Sequence, residues 1–506
     1  MMLLRIEGVN LSHCIFDTED LSTRRGGSLM LLDAVNYIAK EFNKNGKPKQ
    51  LEQISTGASI GLFEVINCDP NELEKSVRKK LQEHHLFKFG TFVVNISEGE
   101  FKAACENVIT ENRWQQMQNL SFSVVGLKSN GYPPCTKDYL RPAAVESEYS
   151  ASVLARRDYG RKQKQSFYHN KLSNLHLKSL AYTNEFSEIA TNRPIEVDTQ
   201  NLDGKMAVFY ADGNKFGKVG MACKTSDDIK KWDDTVKKER RKLLEAIVAH
   251  AYKDTRWQRK KDEIRLETLL WGGDELMFVV PGWCGLQLAK IFFDQTIKME
   301  YEGKKLTHAC GLVFCHHQAP ISSITKLAKN LADIAKNDSD DQSNTLNWIV
   351  LESFDYAGSD LNNYLKTRFE NKVENWSDLT LSLEEVDELV LNMTIFKEVL
   401  PKSTMMRALR LLVKGDMTNP LLELSYQSVD ATLNSLKSEE KEKFKILWKQ
   451  IHPEKHVWTG KPPTAIKDAT KDFSDLAAWV KLLELWDYCQ PPCTHVAKVK
   501  NQNKPK

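Results

Sequence analysis

The sequence predicts an α+β chain made of two βαββαβ halves followed by a helical bundle. Three observations carry this reading. The order strand, helix, hairpin, helix, strand runs from Leu3 to Ile96 and recurs from Met206 to Phe314. The two hairpins also align, with Gly57-Ala58-Ser59-Ile60-Gly61-Leu62-Phe63 falling where Gly272-Gly273-Asp274-Glu275-Leu276-Met277-Phe278 stands later. From about Leu381 the pattern changes to Leu, Lys and Glu at helical spacing, which suits a bundle.

In the first half, Leu3 to Phe16 alternates as a long strand does. A loop through Asp17, Asp20, Arg24 and Arg25 reaches Gly26-Gly27-Ser28, which is expected to open an amphipathic helix to about Phe42. Gln53 to Ile66 reads as a hairpin, Pro70 to His84 as a helix, Phe89 to Ile96 as a strand and Phe101 to Gln118 as a helix. This order is ferredoxin-like. Ser59 and Ile60 replace the two acids of the later hairpin, so the first half is expected to hold no metal.

Residues 121–204 are less regular. Arg156-Arg157 and Arg161-Lys162-Gln163-Lys164 stand beside Tyr159, Phe167 and Tyr168. Interleaved basic and aromatic residues suit RNA or nucleotide phosphates, although a solvated linker is the plainer reading.

The second half carries the chemistry. Met206 to Ala211 reads as a buried strand that runs into Asp212-Gly213-Asn214-Lys215-Phe216-Gly217. An acid there sits at the carboxyl end of a strand, where open α/β sheets bind ligands. Two short apolar strands flank Gly272-Gly273-Asp274-Glu275, whose glycines are expected to take positive φ and leave room for phosphate. Adjacent carboxylates repel one another unless a cation lies between them, so Asp212, Asp274 and Glu275 are the candidate ligands for a divalent metal. A polar turn with solvated acids is the alternative. Asp233 to Lys253 should form a helix with Leu243, Leu244, Ile247 and Val248 inward, and with Lys237, Lys238, Arg240, Arg241 and Lys242 on a solvent face. Leu286 to Met299 reads as a helix, and Asn347 to Glu352 as the last strand. Between them, Pro320 and Ser322 open a helix with Ser322 as N-cap, and Ile324, Leu327, Leu331 and Ile334 face the sheet. Lys329 and Lys336 share a face of it; Lys336 meets a triphosphate if that face borders the site, and is a surface lysine otherwise. His316 and His317 either touch nucleotide or cap their strand.

On these residues the chain resembles the palm domain shared by GGDEF-type nucleotide cyclases and the polymerase-like large subunit of type III CRISPR effector complexes. The stretch from His308 through His316-His317-Gln318-Ala319-Pro320 to Ala332-Asp333-Ile334-Ala335-Lys336 favours the second family. The resemblance implies two ferredoxin-like palm (βαββαβ) domains, the second catalytic, with a C-terminal helical bundle. It implies that NTPs, ATP foremost, are joined into a cyclic oligo- or dinucleotide second messenger with Mg²⁺ or Mn²⁺. Catalysis would fall to Asp212, Asp274 and Glu275, and nucleotide binding to Gly213, Asn214, Gly272, Gly273 and Lys336. Glu275 stands where the family more often has aspartate. Guide RNA and other effector subunits are the partners this family implies; a stand-alone form, a homo-oligomer, a GGDEF-like cyclase outside CRISPR and a non-catalytic nucleotide-binding or scaffold subunit stay open. The family's HD nuclease domain and its DNase activity are expected to be missing, since the first strand starts at Leu3. Paired zinc cysteines are likewise not expected, because Cys135 stands alone.

Net charge is only +3, so charge neither demands nor excludes a nucleic-acid partner. Ten cysteines without framework spacing, and no apolar run of about 18 residues, place the expected chain in a reducing cytoplasm with no membrane partner. No Gly-x-x-x-x-Gly-Lys loop and no Ser-His-Asp arrangement is present to suggest other chemistry. Cys489, Cys493 and His495 make only a three-ligand set. The expected divisions are 1–120 (first palm-like domain), 121–204 (partly basic insert), 205–356 (second palm), 357–495 (helical bundle) and 496–506 (disordered basic tail).

Overall fold

The computed structural model describes residues 1–44, 48–57, 59–120, 131–197, 200–338, 343–351, 360–373, 375–397, 399–463 and 474–490. Ala58, Glu352, Cys493, His495 and the 496–506 tail, on which some of the expectations fall, lie outside the described residues. The chain divides into two compact units, Met1–Leu383 and Glu384–Lys506.

The first unit holds two sheets of like topology. In the first, β1 (Met2–Val9), β2 (Leu51–Gly57), β3 (Ile60–Val65) and β4 (Thr91–Glu98) lie in the order β2-β3-β1-β4, with α1 (Leu21–Glu41), α2 (Pro70–Glu83) and α3 (Phe101–Gln118) between or after them. β1 is antiparallel to both β3 and β4. Leu3, Leu4 and Ile6 are fully buried, which explains why β1 takes the centre. The second sheet comprises β5 (Lys205–Gly213), β6 (Glu267–Trp271), β7 (Leu276–Pro281), β8 (His308–His316) and β9 (Thr345–Val350), in the order β9-β8-β5-β7-β6. Its first four strands repeat the order of the first sheet, and β9 adds a parallel edge to β8.

The repeat holds at the level of single residues. Ile6 pairs with Gly61 as Ala211 pairs with Leu276. One step further, Gly8 N donates to Ser59 O (2.9 Å) as Gly213 N donates to Asp274 O (3.2 Å). Ser59 therefore occupies the place of Asp274, and Glu7 that of Asp212. Glu7 is buried between Arg5 and Arg113, at 3.1 Å from each.

Several elements depart from expectation. α1 begins at Leu21, with Asp20 accepting from Thr23 N, so Gly26 and Gly27 lie inside the helix. A Cβ on Gly26 would come within 1.7 Å of Arg156 O, and one on Gly160 within 2.1 Å of Ser22 O. The glycines allow α1 to cross α4 (Ala151–Lys171) at backbone contact. The basic 156–164 stretch is therefore a packed helix, not a linker. Arg156 pairs with Asp17 and Lys164 with Glu267, both within the core. A short helix, α5 (Phe216–Ala222), precedes α6 (Ser226–Lys253), which starts earlier than expected on a Thr225–Asp228 capping box. α7 (Gly285–Thr296) follows β7, and α8 (Ile321–Asp338) covers β5, β8 and β9. Ser322 is not the cap of α8: Glu19, from the loop after β1, accepts from both its N (3.1 Å) and its Oγ (2.5 Å).

The second unit is helical: α9 (Leu383–Lys397, starting one residue before it), α10 (Lys402–Lys414), α11 (Pro420–Asn434), α12 (Ser438–Ile451) and α13 (Ser474–Glu484). Trp448, Trp458, Trp479 and Tyr426 form its aromatic core, with the Tyr426 hydroxyl donating to Asp475 (2.6 Å). Among the described residues no helix is long and apolar enough to cross a membrane.

Candidate active site

The β5 strand alternates, so Tyr210 and Asp212 project to one face and Ala211 to the other. β7 pairs with β5 and brings the 272–275 turn to the same end of the sheet as Asp212. Within the turn, Gly272 N donates to Glu275 O (2.8 Å). Neither Gly272 nor Gly273 has positive φ, contrary to expectation. Space is the reason for glycine instead: a Cβ on Gly272 would lie 2.9 Å from Glu275 O, whereas Gly273 faces open space.

The acids differ in their surroundings. Lys336 Nζ lies 2.7 Å from Asp212 Oδ2. Glu275 accepts from the Tyr210 hydroxyl (2.6 Å), and Lys329 Nζ lies 3.6 Å from it while facing the rings of Phe16 and Tyr210. Lys329 and Lys336 thus both reach the acids along one stripe of α8. Asp333, between them on that stripe, has its carboxyl pushed up by desolvation and then by Asp212. Asp274 is half-buried, and no cation pairs with its carboxylate among the described residues. Its pKa is raised, first by desolvation and then by Asp212.

Repulsion between neighbouring carboxylates is the condition a divalent cation relieves, so the Asp212–Asp274 pair fits Mg²⁺ or Mn²⁺ chemically. Among the described residues no three acid, His or Cys side chains form a closed metal cluster. An ion here would complete its shell with phosphate and water, as Mg²⁺ commonly does.

Asn214 follows Asp212 and is largely buried. Its N donates to Thr307 O (2.8 Å) and its Nδ2 to Thr307 Oγ1 (3.0 Å), while its Oδ1 has no hydrogen-bond partner among the described residues. Asn214 lines a cavity of about 670 Å³ together with Lys215, Lys218, Lys224, Tyr301 and Thr307. His316 and His317 are not at the site. His316 pairs with Lys205, at the far end of β5, and His317 binds Gly204 O, so the nucleotide-contact reading gives way to a strand-end role.

Arg240 is the main correction. It belongs not to a solvent face but to the buried stripe Val236, Arg240, Leu243, Ile247. Its Nε donates to Gly273 O (3.2 Å) and its Nη2 to Asp274 O (3.0 Å). The i, i+4, i+7 phase of that stripe was the available signal. Tyr210 was equally legible from its two-residue spacing to Asp212.

Residues 205–345 match the family model of the Cas10/Cmr2 second palm domain. No curated protein matches the chain. Among solved structures, Csm1 from T. onnurineus is similar at 13% identity and a TM-score of 0.54, over 95% of this chain and 69% of that one. The apo Csm1–Csm4 cassette (11%, TM-score 0.51) and the same cassette with one ATP (11%, 0.53) match over the same shares. At such identities the likeness is one of fold. The family match falls on the very strands that carry Asp212 and Asp274, so the chain contains, over residues 205–345, a Cas10/Cmr2 second palm domain.

Proposed function

We propose that this chain is a metal-dependent nucleotidyltransferase that joins NTPs, ATP foremost, into a cyclic oligo- or dinucleotide, serving as a second messenger in CRISPR-type antiviral defence. The carrying observation is the pair Asp212 and Asp274, brought to one sheet end beside an open glycine turn, with no ion pair on the Asp274 carboxylate among the described residues and its pKa raised by desolvation and then by Asp212. The fold relatives give support in their ligands, one ATP in one case and pppApApA in another.

In the reaction a ribose hydroxyl oxygen attacks an α-phosphorus, the bond to the β-phosphate oxygen breaks, and pyrophosphate leaves. The hydroxyl proton passes to a nearby carboxylate or water. Asp212 and Asp274 would hold the ion, with Glu275 as third carboxylate or hydroxyl orienter. Mg²⁺ or Mn²⁺ bound there would neutralise phosphate charge and acidify the attacking hydroxyl. Tyr210 orients Glu275 through its hydrogen bond. Lys336 and Lys329 hold the acids in the free chain and would turn to the triphosphate when it arrives. Gly273 leaves the turn open to phosphate, while Gly213 and Gly272 would border it from positions packed against Phe216 and the Glu275 carbonyl, and the cavity at Asn214 would take the remainder of the nucleotide. We read the first sheet as a palm-type half whose acid, Glu7, is already neutralised by two arginines. The chain would work beside other effector subunits and guide RNA.

Incubating the full chain with each labelled NTP and Mg²⁺ or Mn²⁺, alone and with effector subunits bearing guide and target RNA, tests this. A cyclic adenylate product that Asp212→Asn abolishes is expected. Intact NTPs in every combination would contradict it.

A further inference from the structure

Arg240 comes from the middle of α6, is 2% exposed, and divides its hydrogen bonds between backbone and one buried imidazole. Two donors take the carbonyls of Gly273 and Asp274, and Nη2 also meets His308 Nε2 at 3.1 Å. Arginine has only donors, so His308 Nε2 must be the acceptor and the imidazole proton sits on Nδ1. His308 is fully buried, packed edge-on against Phe216 and Phe292, and its backbone N donates to Asn344 Oδ1 (2.8 Å). Burial, with Arg240 beside it, keeps the ring neutral. The guanidinium also lies over the Phe216 ring at 5.6 Å. Among the described residues no carboxylate hydrogen-bonds to it, and Nη1 has no hydrogen-bond partner. A buried cation whose planar fork is used on the two carbonyls at the tip of one turn, and whose back rests on a fixed neutral ring, has the geometry of a clamp.

We propose that Arg240, braced by His308, is a positioning residue that fixes the Gly273–Asp274 backbone and so aims the Asp274 carboxylate at metal and substrate. The proposal rests on the nucleotidyltransferase reading. Lysine cannot replace the fork, because one ammonium cannot span both carbonyls and the imidazole in a plane. Neither residue touches substrate, so removing the clamp lowers kcat and leaves NTP binding largely intact.

The test uses the full chain under the conditions in which the wild type turns over. Arg240→Ala should lower kcat by about a hundredfold, on the order of what an ångström of misplacement costs, while KM for NTP moves within about threefold. Millimolar guanidinium, entering the space left by the side chain, should restore about tenfold of that loss, and methylammonium should not. His308→Gln, which keeps an acceptor, should stay near the wild type, whereas His308→Leu should fall with Arg240→Ala. Amide exchange over residues 272–275, measured without substrate, should quicken in Arg240→Ala and slow again with guanidinium. Arg240→Lys, which keeps the charge, should show the same kcat loss and faster exchange, and serves if the alanine variant does not fold. Unchanged kcat, or a loss without faster exchange in the turn, overturns the proposal. If the wild type itself makes no product, the nucleotidyltransferase reading has failed, and the exchange measurement alone decides whether the clamp exists.

Discussion

A carboxyl group held above its ordinary pKa by burial and by Asp212 favours protonation in the folded chain, which fixes the sign of its pH effect. The stability that Asp274 lends is present below its unfolded-state pKa and is lost as pH rises through the folded value. At neutral pH without metal, Asp274→Asn should therefore melt no lower than the wild type, and with Mg²⁺ or Mn²⁺ added it should form below about 1% of the wild-type product. A lower melting temperature at pH 7.5 would show that the carboxylate is paired after all. The double variant with Asp212→Asn should be no worse than either single one, since the acids act as a unit. On α8, Lys336→Ala should weaken NTP binding about tenfold to a hundredfold, as loss of a charge-assisted contact of roughly 1.5–3 kcal/mol implies. Lys329, on the same face of α8, contacts Glu275 and is a second test residue. The exposed Lys326 is the better control, and its alanine variant should bind NTP as the wild type does. The acids were legible because an acid after a buried strand, and a pair of acids in a glycine turn, are visible without a structure. Arg240 was not read because its charged neighbours drew it to the surface face, although its phase was that of the apolar stripe.

Among the elements, the hairpin that carries the turn is tied down by charge. Glu267, on β6, takes Arg25 of α1 at 2.8 and 2.5 Å and Lys164 of α4 at 2.7 Å, all three buried. Burial alone would raise the Glu267 pKa, but Arg25 and then Lys164 outweigh it and hold it low. Its contribution is therefore present above the unfolded-state value of about 4.3 and is lost as pH falls through the folded value. Glu267→Gln leaves two buried cations facing no anion and should cost about 3–5 kcal/mol by denaturant unfolding. A change below about 1 kcal/mol would mean that the triad is solvated. None of this was legible, since a strand Glu and a Lys about a hundred positions earlier share no spacing. The position of Gly26 and Gly160 was equally hidden: a Gly-Gly pair reads as a break, and only the crossing of α1 and α4 shows that it is a contact.

For the molecule as a whole, the first unit is a repeat whose halves grip one another reciprocally: α1 lies against β6 and α6 against β2. Asp233 of α6 accepts from Thr56 N in the first hairpin (3.3 Å), next to the position that Ser59 fills in place of an acid. The repeat was legible because its hairpins align residue for residue, whereas the neutralisation of Glu7 by Arg113 required α3 to be placed. Ser59→Ala should leave turnover within about twofold, a change too small for a group near the chemistry; a tenfold loss would bring the first half into the reaction. The central claim is that Asp212 and Asp274 share one divalent ion with the bound triphosphate. Titrating Mn²⁺ into the full chain with a non-hydrolysable ATP analogue, and counting bound ion by electron paramagnetic resonance, tests it most directly. Saturable binding should appear in the wild type and disappear in both Asp212→Asn and Asp274→Asn, while Ser59→Ala keeps it. Binding that survives in the two aspartate variants would contradict the account.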